Sequence, residues 1–122
     1  MTLPMLLIAQ EILIEGKINV LHMATLRQHL YADGTIDRAK ADFLIELYKR
    51  LRPPTPAFRH FVFRALKDHL LAREQIGTEE VEWLRHTLFA DGADEEEREF
   101  LLELQGEART TSPEFEILLK QA

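Results

Sequence analysis

The chain has 122 residues, which is enough for one domain with a modest hydrophobic core. It contains no cysteine, which excludes disulfide frameworks, thiolate zinc sites and iron–sulfur clusters and fits a protein of the reducing cytoplasm. Its net charge of −6 argues against general nucleic-acid binding, which needs a basic surface. Residues 1–61 carry 8 basic and 6 acidic side chains, whereas residues 62–122 carry 7 basic and 15 acidic.

The apolar segment at residues 1–9 is the first predicted element. No basic residue precedes the apolar run and no small-residue cleavage site follows it, so it does not fit a signal peptide. No stretch reaches the ~20 apolar residues that a transmembrane helix needs. We therefore expect a core helix here, no transmembrane segment and a soluble chain.

Seven helices are predicted from the spacing of apolar residues and from capping residues. Thr55, Thr78 and Ser112 are expected to cap the fourth, fifth and seventh helices. Asp94 and Glu97 resemble a capping box at the start of the sixth. The helices are expected at residues 4–14, 20–31, 38–51, 56–71, 79–89, 95–107 and 113–121. The residues expected to be buried include Phe58, Phe61, Leu66, Leu84, Leu88, Leu101 and Leu104.

Two parts of the chain align with each other. Residues 26–34 match residues 84–92 at an offset of 58, and the offset then falls to 57 because the second turn is one residue shorter. The alignment continues through the next helix and carries Phe43 onto Phe100. The sequence therefore predicts one all-α domain over residues 1–122. It is expected to contain two duplicated three-helix units, at residues 5–51 and 63–108, and a closing helix at 113–121.

Each unit contains an Ala-Asp-Gly turn followed by a second aspartate. An EF-hand calcium loop would place Lys40 at its twelfth position, where a glutamate is needed, and the second loop is one residue short. The structural interpretation fits better: the glycine ends one helix in the left-handed conformation, the first aspartate satisfies turn amides, and the second caps the next helix. The turn residues are Asp33, Gly34 and Asp37 in the first unit and Asp91, Gly92 and Asp94 in the second.

These turns, with seven helices and an aromatic-rich fourth helix, resemble the TerB-like family, which is named for tellurite resistance. The resemblance implies a TerB-like helical bundle that is not an enzyme and is linked to stress-response or envelope-associated assemblies. The family tends to have an acidic residue three positions after the second turn aspartate; Glu97 fits this pattern and Lys40 departs from it. The resembling segments are residues 32–37, 58–71, 79–94 and 112–119.

No catalytic site, cofactor or resident metal is predicted. The five histidines show no metal-binding or ferritin-type spacing, and the five glycines form no phosphate-binding or dinucleotide-binding loop. Glu82 and His86 lie four residues apart and could share a metal ion, but an ordinary surface pair is the commoner outcome of this spacing.

Two charged surfaces are the candidate interaction sites. An acidic stripe on the sixth helix is either a solvated face or a docking face for a basic partner or divalent cations. The scaffold does not require it, because the equivalent row of the third helix is mixed in charge. A basic patch around the third and fourth helices could contact phosphate or an acidic partner, or be solvated. The stripe comprises Glu95, Glu99, Glu103 and Glu107; the patch comprises Lys49, Arg50, Arg52, Arg59, His60, Arg64 and Lys67.

The sequence thus favours a small helical adaptor that binds protein partners through its charged and apolar surfaces. The alternative is a divalent-cation-responsive module that uses the acidic turns and the stripe. An enzyme with an uncommon site is a third hypothesis, and no recognisable motif supports it.

Overall fold

The computed structural model describes residues 3–51, 53–73 and 75–122. Seven α-helices and two very short strands make up this part of the chain, so the predicted all-α class is confirmed. Six of the helices begin and end within one residue of their predicted bounds. The helices are α1 (Leu3–Glu15), α2 (Val20–Leu30), α3 (Arg38–Arg50), α4 (Pro56–Leu70), α5 (Thr78–His86), α6 (Glu95–Glu107) and α7 (Pro113–Gln121).

The chain divides into two compact units, residues 1–69 and residues 70–122. In the first unit, α1 packs against α2 and α3. Helix α4 contributes Phe58, Val62 and Leu66, which are fully buried. The predicted repeat assigned residues 63–71 to the second copy, whereas contacts place all of α4 except its last residue in the first unit. The duplication itself stays a prediction made from the sequence.

In the second unit, α5 and α6 both pack against α7. A short 3₁₀ helix, Leu71–Arg73, leads into β1 (Gln75–Ile76), which pairs in parallel with β2 (Thr110–Thr111). The Ser112 amide extends this pairing by donating to the Ile76 carbonyl at 2.9 Å. Strands of two residues carry no readable alternation of apolar and polar positions, so the sequence did not predict them.

The predicted buried residues are confirmed. Apolar side chains at helical spacing turn towards the interior in both units, as an amphipathic pattern requires. Full burial of each such side chain contributes about 1.5–3 kcal/mol to folding. The buried set includes Phe58, Phe61, Leu66, Leu84, Leu88, Leu101 and Leu104, each at most 6% exposed.

Helix α1 is much less buried than predicted. Only Met5, Ala9 and Ile12 face the interior, whereas Leu7 is 56% exposed and Ile14 is 78% exposed. The helix is apolar around most of its circumference, apart from Gln10, Glu11 and Glu15, and packing on α2 and α3 covers one side only. None of the helices in the described ranges, α1 included, is long and apolar enough to cross a membrane.

Helix α5 corrects two predictions. Thr78 is its first helical residue rather than its cap, which is Gly77, and the Thr78 hydroxyl donates to the Glu114 carboxylate at 3.1 Å instead. The helix also ends earlier than predicted, at His86. There the Thr87 hydroxyl donates to the Trp83 carbonyl at 2.6 Å, a local side-chain bond that competes with continued helix.

The starts of α4, α7 and α2 differ in the side-chain bonds that cap them. The Thr55 hydroxyl accepts the Phe58 amide at 3.2 Å, as predicted for α4. Ser112 holds the cap position of α7 without a side-chain bond to a helix amide. Helix α2 has a capping box that was not predicted: the Asn19 side chain accepts the His22 amide at 2.7 Å, and His22 Nδ1 accepts the Asn19 amide at 3.3 Å.

Candidate functional site

The turn before α3 has the predicted structural role. Gly34 has a φ of 81°, and the Asp37 side chain caps α3 by accepting the Lys40 amide. Asp33 Oδ1 accepts the Thr35 amide at 3.1 Å and Lys40 Nζ at 2.7 Å. These bonds, with that of Lys40 first, lower the pKa of the Asp33 carboxyl below its ordinary value. A lysine ammonium therefore lies where a calcium loop would hold its ion.

The turn before α6 is one residue shorter and has different side-chain bonds. Gly92 has a φ of 93°, and Asp94 forms the predicted capping box with Glu97, through bonds of 2.8 and 2.9 Å. Asp91 caps no turn amide within the described residues, contrary to prediction. Glu97 occupies the position equivalent to Lys40, so no ammonium is present to draw Asp91 into the turn.

No group of three potential metal ligands comes together within the described residues. His86 Nε2 lies 3.4 Å from the Glu82 carboxylate on the same helix, as predicted from their spacing. Arg85 also approaches Glu82, at 3.5 Å. The carboxylate therefore has a guanidinium neighbour, and the group is an ordinary exposed charge pair.

The four glutamates of the acidic stripe, at positions 95, 99, 103 and 107, are all exposed on α6. Glu103 and Glu107 each interact with another group. The stripe is therefore not a row of four isolated carboxylates, and within the described residues it forms no group of three potential metal ligands.

Two arginines of the predicted basic patch contact other residues of the first unit. Arg50 pairs with Glu46 at 2.9 Å, one turn away on α3. The Arg59 guanidinium lies 5.8 Å from the Tyr48 ring centroid and 5.9 Å from that of Phe63, as cation–π contacts. These two arginines are thus occupied within the first unit.

The rest of the patch separates into two groups. Lys49 and Lys67 are each engaged by another group, and Arg52 lies outside the described residues. His60 and Arg64 lie together, on the wall of a pocket. Of the three cations on α4 that the sequence predicts as partner-binding residues, Arg59, Arg64 and Lys67, only Arg64 lines this pocket.

The pocket lies between α2 and α4 in the first unit and has a volume of about 440 Å³. Helix geometry explains its walls, because residues four apart share a face. One row comes from α4 and a shorter one from α2 and its C-cap. The lining comprises His60, Phe61, Arg64 and Asp68 on α4 and Arg27 and Tyr31 on the other wall.

A hydrogen bond from the Tyr31 hydroxyl to Asp68 Oδ2, 2.5 Å long, joins the two walls. Burial, and after it this bond to a carboxylate, raise the pKa of Tyr31 well above its ordinary value. The phenol is therefore a protonated donor at neutral pH. Its proton is committed to Asp68, so the hydroxyl offers a ligand only its oxygen lone pairs.

The two guanidiniums differ in what they contact. Arg27 lies over the Phe61 ring, 5.4 Å from its centroid. Arg64 has neither an ion pair nor a hydrogen bond within the described residues, and it is exposed to solvent. The lining contains two cations, Arg27 and Arg64, and one carboxylate, Asp68. Its formal net charge is therefore +1 when histidine is not counted.

This arrangement suits the binding of one carboxylate. A guanidinium presents planar donors that match two oxygens of a carboxylate or phosphate. A single carboxylate balances the net charge of the lining, whereas a phosphate dianion exceeds it and faces Asp68.

The sequence identified Arg64 and His60 but missed Arg27, Tyr31 and Asp68. The spacing of these residues was a usable signal, because polar residues recur every four positions at 27 and 31 on one wall and at 60, 64 and 68 on the other. What was not readable is that Arg27 and Tyr31 face α4, because this depends on tertiary structure.

Comparison of the chain with protein-family models, with curated proteins and with solved structures gives no significant match.

Proposed function

We propose that the chain is a non-catalytic helical interaction module that binds a protein partner through a carboxylate seated in the α2–α4 pocket. The observation that carries the proposal is the exposed Arg64 guanidinium, which has no counter-ion among the described residues although Asp68 follows it by one helical turn. Asp68 accepts its hydrogen bond from Tyr31 instead.

The binding free energy expected of one carboxylate contact is small, so this contact would select a partner that is also held by other contacts. A hydrogen bond to a charged group contributes about 1.5–3 kcal/mol, which alone gives weak binding. Arg27 and Arg64 approach the pocket from different helices, so one carboxylate between them links two elements. The attraction is exposed and therefore weakens as salt is added.

Fluorescence anisotropy with a labelled, end-capped hexaglutamate peptide tests this function. The protein should bind it saturably at low salt and should not bind a hexaglutamine peptide of the same length. Arg64→Gln should raise the dissociation constant about tenfold, which corresponds to losing about 1.4 kcal/mol. At equal ionic strength and at a pH high enough to make inorganic phosphate mostly a dianion, unlabelled phosphate should compete more weakly than acetate.

Arg50→Gln is the matched control, since it removes the same charge from an exposed arginine outside the pocket. It should leave the affinity nearly unchanged. Equal affinities of Arg64→Gln and the wild type, or binding of both peptides alike, would show that the pocket does not recognise carboxylates.

The divalent-cation-responsive alternative has weaker support. In the first turn the Lys40 ammonium already lies 2.7 Å from Asp33, and in the second turn no third ligand joins Asp91 and Asp94 within the described residues. A cation at Asp33 Oδ1 would compete with the Lys40 ammonium for the same oxygen.

The cellular setting is part of the proposal. A chain without cysteine fits a cytoplasmic module, and the overall negative charge fits protein rather than nucleic-acid partners. A TerB-like role in stress response or tellurite resistance, and association with an envelope-linked complex, rest on the sequence resemblance alone. The carboxylate pocket does not depend on that resemblance.

A further inference from the structure

The outer side of α1 is an apolar surface with no covering element among the described residues. Leu3, Leu6, Leu7 and Ile14 are 67, 50, 56 and 78% exposed. Val20, which begins α2 after the intervening turn, is 82% exposed, and the next residue, Leu21, is 76% exposed. Each of these apolar side chains is at least half exposed, which is the pattern of a surface that another molecule covers.

The residues of this surface follow the spacing of a coiled-coil seam. Leu3, Leu7, Gln10 and Ile14 are separated by four, three and four positions, as the inner positions of consecutive heptads are. All four are exposed, whereas Met5, on the opposite side of α1, is buried. We call these four residues the α1 seam. Such a seam is the face that one helix presents to another helix.

We propose that the α1 seam is a self-association surface and that its occupant is the α1 seam of a second copy of this chain. Residues 3–10 carry no charged side chain, so two copies meet there without like-charge repulsion. Leu3, Leu7 and Ile14 are each more than half exposed, so covering them with a second copy removes apolar surface from water. Two-fold dimers are the commonest closed assemblies, and a self-complementary surface suffices to build one.

Gln10 favours a second copy over an unrelated apolar partner. It is the one polar residue of the seam, and its amide both donates and accepts hydrogen bonds. Two-fold pairing that apposes Gln10 to Gln10 of the second copy satisfies both groups. A purely apolar groove would leave the amide buried and unpaired, at a cost of about 1–3 kcal/mol.

The charges beside the seam argue against a lipid surface as occupant. Membrane-surface helices carry Lys and Arg on their polar face. Helix α1 contains no basic residue, and its charged residues are Glu11 and Glu15, both exposed. Anionic headgroups would repel these carboxylates, which in a pair of copies lie beside the apolar contact and not within it.

Sedimentation equilibrium over a range of concentrations tests the assembly. The wild type should be a reversible dimer, and Leu7→Lys should raise its dissociation constant by at least about tenfold. The control is Leu102→Lys, which places the same charge on a 51%-exposed leucine of α6, outside the seam, and should leave the dimer intact. Circular dichroism confirms that both variants are folded. A monomeric wild type, a Leu7→Lys variant that still dimerises, or equal loss in both variants would overturn the proposal.

Cysteine cross-linking tests the pairing and remains informative if Leu7→Lys does not fold. The chain has no native cysteine, so Gln10→Cys supplies one thiol per copy. Apposed copies bring the two thiols within reach of a disulfide, which requires Cα atoms about 4.4–6.8 Å apart. Mild oxidation should convert most of Gln10→Cys, but little of Leu102→Cys, into covalent dimer. Equal cross-linking of the two variants, or co-sedimentation of a monomeric wild type with phosphatidylglycerol vesicles, would contradict the inferred occupant.

Discussion

Lys40 Nζ lies 2.7 Å from Asp33 Oδ1 and 2.9 Å from the Thr35 carbonyl, so one ammonium closes the turn before α3. The lysine stem is largely buried, with 14% of its side chain exposed. This contact gives the turn an internal cation. The second turn differs, because Glu97 occupies the position equivalent to Lys40.

The pKa of Asp33 should depend on this contact. It lies below its ordinary value, with the Lys40 bond as the largest cause and the Thr35 amide as the next. We expect Lys40→Met to raise the pKa of Asp33 part of the way back, and Lys40→Arg to raise it less. NMR titration of the side-chain carboxyl carbon measures this shift. An unchanged pKa in Lys40→Met would show that the contact is absent in solution.

The sign of the linked stability change follows from a depressed carboxyl pKa. Asp33 stabilises the fold above its unfolded pKa, and this contribution is lost as the pH falls through its folded pKa. The stability difference between the wild type and Lys40→Met should therefore shrink on acidification through this range. Urea unfolding at several pH values checks it. A difference that grows as the pH falls would contradict this assignment.

The Tyr31–Asp68 bond should be visible in the ionisation of the phenol. Burial is the largest cause of the raised pKa of Tyr31, and the bond to Asp68 is the second. Asp68→Asn removes the carboxylate, so the pKa of Tyr31 should fall but should stay above its ordinary value. NMR titration with labelled tyrosine measures it, and Tyr31→Phe assigns the signal. An unchanged pKa in Asp68→Asn would exclude the bond.

Two glycines should respond in opposite directions to the same substitution. Gly34→Ala places a side chain at a φ of 81°, so it should destabilise the fold by about 1–2 kcal/mol through backbone strain alone, as no atom lies within 4 Å of the added Cβ. Gly106→Ala, within α6, also meets no atom within 4 Å and should stabilise the fold by about 0.5–1 kcal/mol. Chemical denaturation compares the two variants, and the same sign for both would contradict the assigned conformations.

The capping box of α2 should contribute measurably to stability. His22 is 5% exposed, and its Nδ1 accepts the Asn19 amide. His22→Leu keeps the Asn19 cap on the residue-22 amide but removes the bond from the Asn19 amide to Nδ1, so it should cost about 0.5–1.5 kcal/mol, the usual net value of one hydrogen bond. His22→Gln is the matched control, because glutamine at this position can complete the same box. Thermal unfolding should rank the wild type and His22→Gln above His22→Leu; equal stability of the two variants would show that the box does not matter.

Local features of this fold were largely readable from the sequence. Apolar spacing and the caps at Thr55, Asp37 and Asp94 predict where helices lie, because these are interactions between residues a few positions apart. The cap of α5 was wrong because Thr78 has a partner, Glu114, on another helix. A contact of that kind depends on packing that local patterns do not encode.

The candidate site was only partly predictable for the same reason. Arg64 and His60 could be placed on one face of α4 from their spacing. The opposing wall, Arg27 and Tyr31, became part of the site only through the packing of α2 beside α4. The exposure of the α1 seam was likewise missed, because an apolar helix was assumed to be buried on every side.

The most direct test of carboxylate recognition is a ¹H–¹⁵N NMR titration of the wild type with end-capped hexaglutamate, observing the arginine side-chain Nε–Hε groups. We expect saturable shifts at Arg64 and Arg27, reversed by added salt, with the Trp83 indole in the second unit unaffected. Hexaglutamine should leave the same signals in place. Unshifted Arg64 and Arg27 signals at peptide concentrations that saturate other parts of the protein would contradict the proposed function.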